Sequence, residues 1–499
     1  MGEGPIFAVK AFYDRNIKSV QEAPNELSRE SKKSGGSGMS RSSVARSQLP
    51  DSSVSRGKSS NLSVSKDASV SPPISKGELA RALARILLLT LTFLLIFQNC
   101  GPSIYSTVPV SSFQPVVIGN AVPTTGTTFI APTGLQNTLP IVVGNCGFPT
   151  QINIPCVTVT ICVPGSSQCA TIPNVLLDTG SFGLRVFQSQ VAALTLPKVV
   201  DNSGNQLAEC APFVVGTDWG PVRMADVQLG GSTASNVPIQ VIDSTFPGIP
   251  STCTDVDTSP AQAGFNGILG VGQFIQDCGS GCTTDSSNGL YFLCSSTGCT
   301  GAALDSTYQV SNPVSYLSSN NNGVIVQLPA VGLPQQTSIQ GTLILGIGTN
   351  SNNGSSGANM YQADASGNIT TNFNGQNQTQ STIDSGTNGY SFGAIANVPV
   401  CPANTSASGL LCPASDVALS ATIMGANGKS QTVSFQVGNA TTILSNGYLV
   451  ANDFGLDSTS FAGGAPGFTW GLPFFFGRTI YVGFEGRSST LGTGPYWAF

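Results

Sequence analysis

The sequence predicts a mostly β protein whose folded body divides into two lobes. Three observations predict it. From Leu139 onward, runs rich in β-branched residues alternate with Gly, Pro, Ser and Asn turns, and helical periodicity is scarce. That body is about 360 residues long, more than one hydrophobic core usually organises. One four-residue pattern occurs twice, 206 positions apart: Asp178-Thr179-Gly180-Ser181 and Asp384-Ser385-Gly386-Thr387. One copy per lobe is most simply a duplication.

Residues 1–85 hold 14 of the 20 Lys and Arg and 8 of the 25 Asp and Glu, with much Ser and few aromatics. Such a segment cannot bury enough apolar surface to fold, so it reads as a disordered leader. It is long for a signal, which points to a translation start further downstream, such as Met39. Lys76, Arg81 and Arg85 then precede an apolar-rich stretch at 86–97. Positive charge before a short apolar run makes 86–100 a signal segment, and the run is too short to span a bilayer comfortably. Cys100 follows at once, and a cysteine in that place resembles the lipidated first residue of a bacterial lipobox. Asn99 replaces the small residue preferred before it, so a short uncleaved membrane anchor is the rival reading. Either way the chain is expected to be exported and membrane-anchored, facing the periplasm or cell surface.

Residues 101–138 mix Pro, Thr, Ser and Gly and read as a tether. The N-terminal lobe is expected over 139–335 and the C-terminal lobe over 336–499. Strands are expected at Ile152–Val163, Ile172–Leu177, Val222–Leu229, Val237–Ile242, Val324–Leu328, Thr342–Ile347, Thr432–Val437 and Thr479–Phe484. Phe187–Leu194 is the candidate for a short helix.

Composition removes most chemistries. The chain has no histidine. That excludes Ser-His-Asp and Cys-His hydrolases and every histidine-ligated metal site. Lysine is nearly absent from the body, so Schiff-base chemistry has few candidates. No Gly-rich phosphate loop occurs. Residues 100–499 carry 6 basic and 17 acidic groups, a net charge of −11. Nucleic acid is therefore excluded as a partner, because phosphate binding needs a basic patch. Few basic groups also limit charge build-up at low pH, which suits an acid-tolerant protein; Asn/Thr/Gly-rich surfaces are equally common on exported ones. No metal and no cofactor is expected.

Of the 13 cysteines, twelve remain if Cys100 carries lipid. Cys162/Cys169, Cys278/Cys282, Cys294/Cys299 and Cys401/Cys412 are spaced like loop staples in an oxidising compartment. Cys278 to Cys299 also admits a zinc cluster, but the Ser, Gly and Asp around it favour disulfides.

Carboxylates are what remain for acid–base work. A lone Asp-[Ser/Thr]-Gly-[Ser/Thr] usually marks a turn. Two copies can bring two carboxylates to one point. Such a pair cannot both ionise easily, so it shares a proton and serves as acid and base together, the chemistry of an aspartic peptidase. A glycosidase also uses two carboxylates, but it needs no Ser or Thr and Gly beside both. Asp255 and Asp257 form another pair, which reads as a solvated turn or as calcium ligands.

Further segments extend the pattern. Gly267-Ile268-Leu269-Gly270 lies 89 residues after Asp178, and Ser315–Asn320, Gly341–Gly346 and Trp470–Phe484 follow. With the two motifs, these make residues 139–499 resemble the pepsin-like aspartic peptidases. The resemblance implies a bilobal double β-barrel with lobes related by a pseudo-two-fold axis. It implies that Asp178 and Asp384 activate one water between them. Thr179 and Ser385 would bond across the lobe junction. Gly180 and Gly386 would offer backbone N–H groups, and Ser181 and Thr387 would hold the outer carboxylate oxygens. A flap over the cleft would carry Phe213, with Trp219 nearby. The implied partner is an extended polypeptide substrate, and the implied state a monomer. The chain is also similar to an uncharacterised family of bacterial exported lipoproteins marked by Asp178–Ser181, Trp219–Val222 and Gly471–Arg478.

Three departures stand out. Phe213 lacks the hydroxyl of the flap tyrosine. Arg185 replaces a tryptophan. Gly471-Leu472-Pro473 replaces Ile-Leu-Gly, which implies altered support for the second loop. Two other functions fit the same sequence. One is a catalytically silent lobe pair that binds peptide or another surface ligand. The other is a structural or adhesive surface lipoprotein, supported by the Asn-rich stretches 350–353 and 372–380.

Overall fold

The computed structural model describes residues 136–148, 151–213, 216–332, 335–405, 407–460 and 467–499. The leader, the signal segment, Cys100 and residues 101–135 of the expected tether lie outside them. The described residues all fall in one compact unit.

The fold is mostly β, with few and short helices, as the turn-rich sequence implies. Its strands follow two sequence patterns. Val417–Met424 and Ser430–Val437 alternate buried and exposed residues, which suits a hairpin with one face in water. Gly267–Val271 is buried at every position, which suits a strand covered on both faces.

The first eight strands are β1 (Thr138–Gly144), β2 (Ile154–Cys162), β3 (Cys169–Asp178), β4 (Phe182–Phe187), β5 (Gln206–Phe213), β6 (Gly216–Leu229), β7 (Ser232–Ile242) and β8 (Gly267–Val271). They belong to a sheet of 15 strands, and an extra pairing of β6 with β2 closes β2, β3, β8, β4, β7 and β6 into a barrel-like ring. A second sheet of seven strands lies wholly in the later part of the chain. Gly323–Gln327 and Ile339–Leu345 flank the expected lobe boundary at 335/336, yet they pair with each other. β1 pairs with Ile339–Leu345 as well, so one sheet runs through both expected lobes.

The short helix expected at Phe187–Leu194 is only a 3-10 turn, Gln188–Gln190. No side chain caps its start, and Pro197 follows, so nothing extends it. Phe187 instead ends β4, buried beside Phe265.

Among the described residues, six disulfides are present: Cys146–Cys156, Cys162–Cys169, Cys210–Cys253, Cys278–Cys282, Cys294–Cys299 and Cys401–Cys412. All four close-spaced pairs read from the sequence are among them, and the zinc alternative falls away. Such a set is typical of extracellular proteins. Among the described residues, no helix is long and apolar enough to cross a membrane.

Candidate active site

Each Asp-Gly motif lies at the end of a strand, and the same local topology surrounds both. β3 ends at Asp178 and pairs in parallel with β8. β4, which follows the loop, pairs with the other edge of β8. So β8 passes between the strand before the loop and the strand after it. In the second half, Gln376–Ile383 pairs in parallel with Thr469–Trp470, which also bridges to Tyr390–Phe392. A segment again passes between.

The passing segments support the loops in matched ways. Gly272 N–H donates to Ser181 O at 2.9 Å, and Leu472 N–H to Thr387 O at 2.7 Å. A Cβ on Gly270 would meet the Ser181–Phe182 backbone at 2.7–2.8 Å. A Cβ on Gly471 would likewise overlap the carbonyl oxygens of Gly389 and Thr387. Both positions need glycine because backbone approaches there. Gly471-Leu472 therefore gives the second loop the backbone support that Gly270 and Gly272 give the first, and the altered support implied by its changed sequence is not found.

The loops lock together through reciprocal bonds. Thr179 N–H donates to Ser385 Oγ at 3.1 Å, and Ser385 N–H to Thr179 Oγ1 at 2.9 Å. Thr179 Oγ1 donates to Ile383 O at 3.0 Å, and Ser385 Oγ to Leu177 O at 2.7 Å. Both side chains are buried.

Asp178 and Asp384 are both fully buried and within hydrogen-bonding reach of each other. Each carboxyl accepts the same two bonds. Gly180 N–H and Gly386 N–H reach Oδ1 of Asp178 and Asp384 at 2.8 and 2.7 Å. Ser181 Oγ and Thr387 Oγ1 reach Oδ2 at 2.5 and 2.7 Å. The loops interlock tightly: a Cβ on Gly386 would lie 2.7 Å from Asp178 Oδ1. Gly180 and Phe182 are half-exposed and mark the side from which the pair can be approached.

Burial raises both carboxyls above their ordinary value, and the charge of Asp178 pushes Asp384 well above it. At Asp178 the Ser181 hydroxyl, Asp384 and the backbone N–H groups of Gly180 and Ser181 offset part of the burial. Two buried carboxyls this close do not both ionise easily, so the pair shares a proton. Among the described residues, no group of three or more His, Cys, Asp or Glu could hold a metal.

A family model described as "Protein of unknown function (DUF3443)" matches residues 133–499. The chain belongs to this family. Among curated proteins, none matches the sequence.

In this DUF3443 chain, two residues singled out as flap candidates lie in one hairpin but in different settings. Phe213 ends β5 opposite Gly216, at the tip of the β5–β6 hairpin. The Arg185 guanidinium is 5.7 Å from its ring centre. Trp219 is fully buried further down β6, against Phe246 and Phe292, so it packs the hairpin base rather than the tip. A cavity of about 300 Å³ lined by Leu194, Pro221, Arg223 and Phe246 lies beside this base and includes neither aspartate.

Sequence reasoning missed what stands behind the loops. Arg185 Nη2 donates to Glu209 Oε1 at 2.6 Å and to Asp277 Oδ2 at 2.8 Å. Tyr291 OH donates to Asp277 Oδ1 at 2.6 Å and accepts from Val310 N–H at 2.7 Å. Burial works against the Arg185 charge, but Glu209 and Asp277 outweigh it, so the guanidinium stays charged. Burial drives Glu209 well above its ordinary value despite Arg185. The available signal was a cation inside the apolar run Phe182–Phe187, in a body with only 6 basic groups. Asn153, between Ile152 and Ile154, was the equivalent polar interruption.

Proposed function

We propose that this chain is an aspartic endopeptidase with a bilobal, pepsin-like double-barrel fold. One observation carries the reading: two buried carboxyl groups within hydrogen-bonding reach, each with the same N–H and hydroxyl donors, on loops laced together by Thr179 and Ser385. A turn used only structurally has no reason to bury two acids against each other.

In this reading a water lies between the carboxyls. Asp178, ionised, takes a proton from it as its oxygen attacks the scissile carbonyl carbon. Asp384 gives its proton to the carbonyl oxygen. The resulting tetrahedral diol collapses as Asp178 returns a proton to the departing amine and Asp384 recovers one from a diol hydroxyl. The products are a carboxylic acid and an amine, and the pair ends as it began. The substrate is an extended polypeptide. The protein acts as an exported monomer held at the membrane by lipid on Cys100 or by a short anchor.

The test uses the full-length chain with an unfolded protein as substrate, from pH 3 to 7. Cleavage is expected at acid pH, with Asp178→Asn and Asp384→Asn each lowering it by roughly 10³-fold or more. Cleavage that survives either substitution would rule the mechanism out. A second reading, a peptide binder without turnover, is favoured by Phe213, which places no hydroxyl at the hairpin tip. Tight peptide binding with no cleavage at any pH would select it.

A further inference from the structure

The two aspartate loops are held at the same place by unrelated side chains. The fourth residue after each aspartate is Phe182 in the first loop and Asn388 in the second. Arg185 Nη1 donates to Phe182 O at 2.8 Å. Asn153 Nδ2 donates to Asn388 O at 2.7 Å. Both donors are buried. Neither belongs to the repeated motif: the position matching Arg185 in the second copy is Ser391, and Asn153 comes from the other half of the chain.

Each donor is itself anchored. Asn153 Nδ2 also donates to Ala451 O at 2.8 Å, and its Oδ1 accepts from Ala451 N–H at 2.8 Å. Asn153 N–H donates to Leu449 O at 2.8 Å, and Asn388 Nδ2 returns a bond to Ile152 O. The backbone of Asn153 is left-handed, with φ 55°, a conformation asparagine tolerates better than most residues. The Cys146–Cys156 disulfide closes the segment that presents it. Arg185 is anchored by Glu209 on β5 and by Asp277.

The clamped carbonyls come directly after Ser181 and Thr387, whose hydroxyls fix the outer oxygens of Asp178 and Asp384. A shift of either carbonyl carries that hydroxyl with it. Small misplacements of reacting groups lower rates far more than they lower stability.

We propose that Arg185 and Asn153 are positioning residues, each clamping the carbonyl beside the hydroxyl residue that orients one carboxyl of the pair. The proposal rests on the aspartic peptidase reading. Glu209 and Asp277 then act through Arg185, and the first clamp is tied to the hairpin strand β5. The second crosses from the first half of the chain to the second, so docking of the Ile152–Asn153 segment sets the Asp384 loop.

The experiment compares the full-length protein with Arg185→Lys, Arg185→Gln, Asn153→Asp and Asn153→Ser. Lysine keeps the charge facing Glu209 and Asp277 but lacks the fork that also reaches Phe182 O. Aspartate keeps the size of Asn153 and its bond from Ala451 N–H but loses both donated bonds. Two quantities are read: kcat and KM on an unfolded protein at acid pH, and amide exchange of the two loops by NMR. For folded variants, kcat is expected to fall roughly 10- to 100-fold with KM within about twofold. Exchange is expected to speed up at 180–182 in the Arg185 variants and at 386–388 in the Asn153 variants, with the other loop unchanged. Unchanged kcat in variants that fold would overturn the proposal, as would a rise in KM alone. If the wild-type protein cuts nothing, the peptidase reading fails separately and exchange decides the clamps. Acceleration confined to the matching loop supports them; equal acceleration in both loops, or none, overturns them. Arg185→Lys and Asn153→Ser are the milder pair, so that folded protein is available for each arm.

Discussion

The two halves of the candidate site share their loops but not what stands behind them. Behind Asp178 is a buried cation, Arg185, between two acids, Glu209 and Asp277. Behind Asp384 is a cluster of rings: Tyr390, Phe392, Phe435, Phe468, Trp470 and Phe474. Among the described residues, five of the six disulfides lie in the first half and one, Cys401–Cys412, in the second. The difference teaches that the motif and the segment passing behind it set the loop geometry, while the backing chemistry is free to vary. Ionic backing depends on partners and protonation. Aromatic backing depends on volume.

The largest effect is expected from breaking the aromatic half. Trp470 is fully buried, with ring centres of Phe468 at 4.5 Å and Phe435 at 5.6 Å. Its Nε1–H donates to Thr371 Oγ1 at 3.0 Å, and its carbonyl accepts from Asp384 N–H at 3.0 Å. Trp470→Ala opens a cavity and orphans a buried hydroxyl, so it should cost about 5 kcal/mol in urea unfolding. A loss under about 1 kcal/mol would show that the rings do not hold the second loop.

Removing staples tests the first half. Cys210–Cys253 closes 43 residues and fixes β5, the strand that carries Glu209; Cys401–Cys412 closes only 11. Chain entropy gives about 4 kcal/mol for the first and about 3 for the second. The double substitution Cys210→Ala with Cys253→Ala should therefore lower the urea midpoint more than Cys401→Ala with Cys412→Ala. Equal losses, or the reverse order, would show that the disulfides do not mark the first half as the more constrained.

Much of this contrast was legible in the sequence, and the part that was not has a physical reason. The motifs, their Gly and Ser/Thr companions and the short-range cysteine pairs are local, so spacing alone carries them. The segments Gly270-Val271-Gly272 and Trp470-Gly471-Leu472 were legible singly but not as equivalents, because they share backbone geometry and little side-chain chemistry. Arg185 stood out only as a misfit. Its partners, Glu209 and Asp277, are 24 and 92 residues away, and no local pattern connects them. Asn153 meets Asn388 across 235 residues. Long-range polar contacts of this kind belong to the packing of two halves, which a single sequence does not spell out.

The smallest expected effect separates the halves by protonation. Asp384 and Glu209 are held well above their ordinary values of 3.8 and 4.5, chiefly by burial. Above those ordinary values an unfolded chain has released protons that the folded protein still keeps. Stability is then full below about pH 4 and falls as pH rises toward the folded values, by at most about 1.4 kcal/mol per pH unit for each proton retained. Asp201 and Asp305 are shifted the other way, but they are exposed and act only below 3.8. The urea midpoint should therefore decline from pH 4 to pH 7. Asparagine and glutamine mimic the neutral acids, so Asp384→Asn and Glu209→Gln should each flatten that decline. Asp384 faces the negative charge of Asp178, whereas Glu209 faces the positive charge of Arg185 as well as Asp277. Asp384→Asn should flatten the profile more. A midpoint that climbs between pH 4 and pH 7, or a slope unchanged by either substitution, would mean that these acids are ionised in the folded state and that the pair behind the two motifs does not hold a proton.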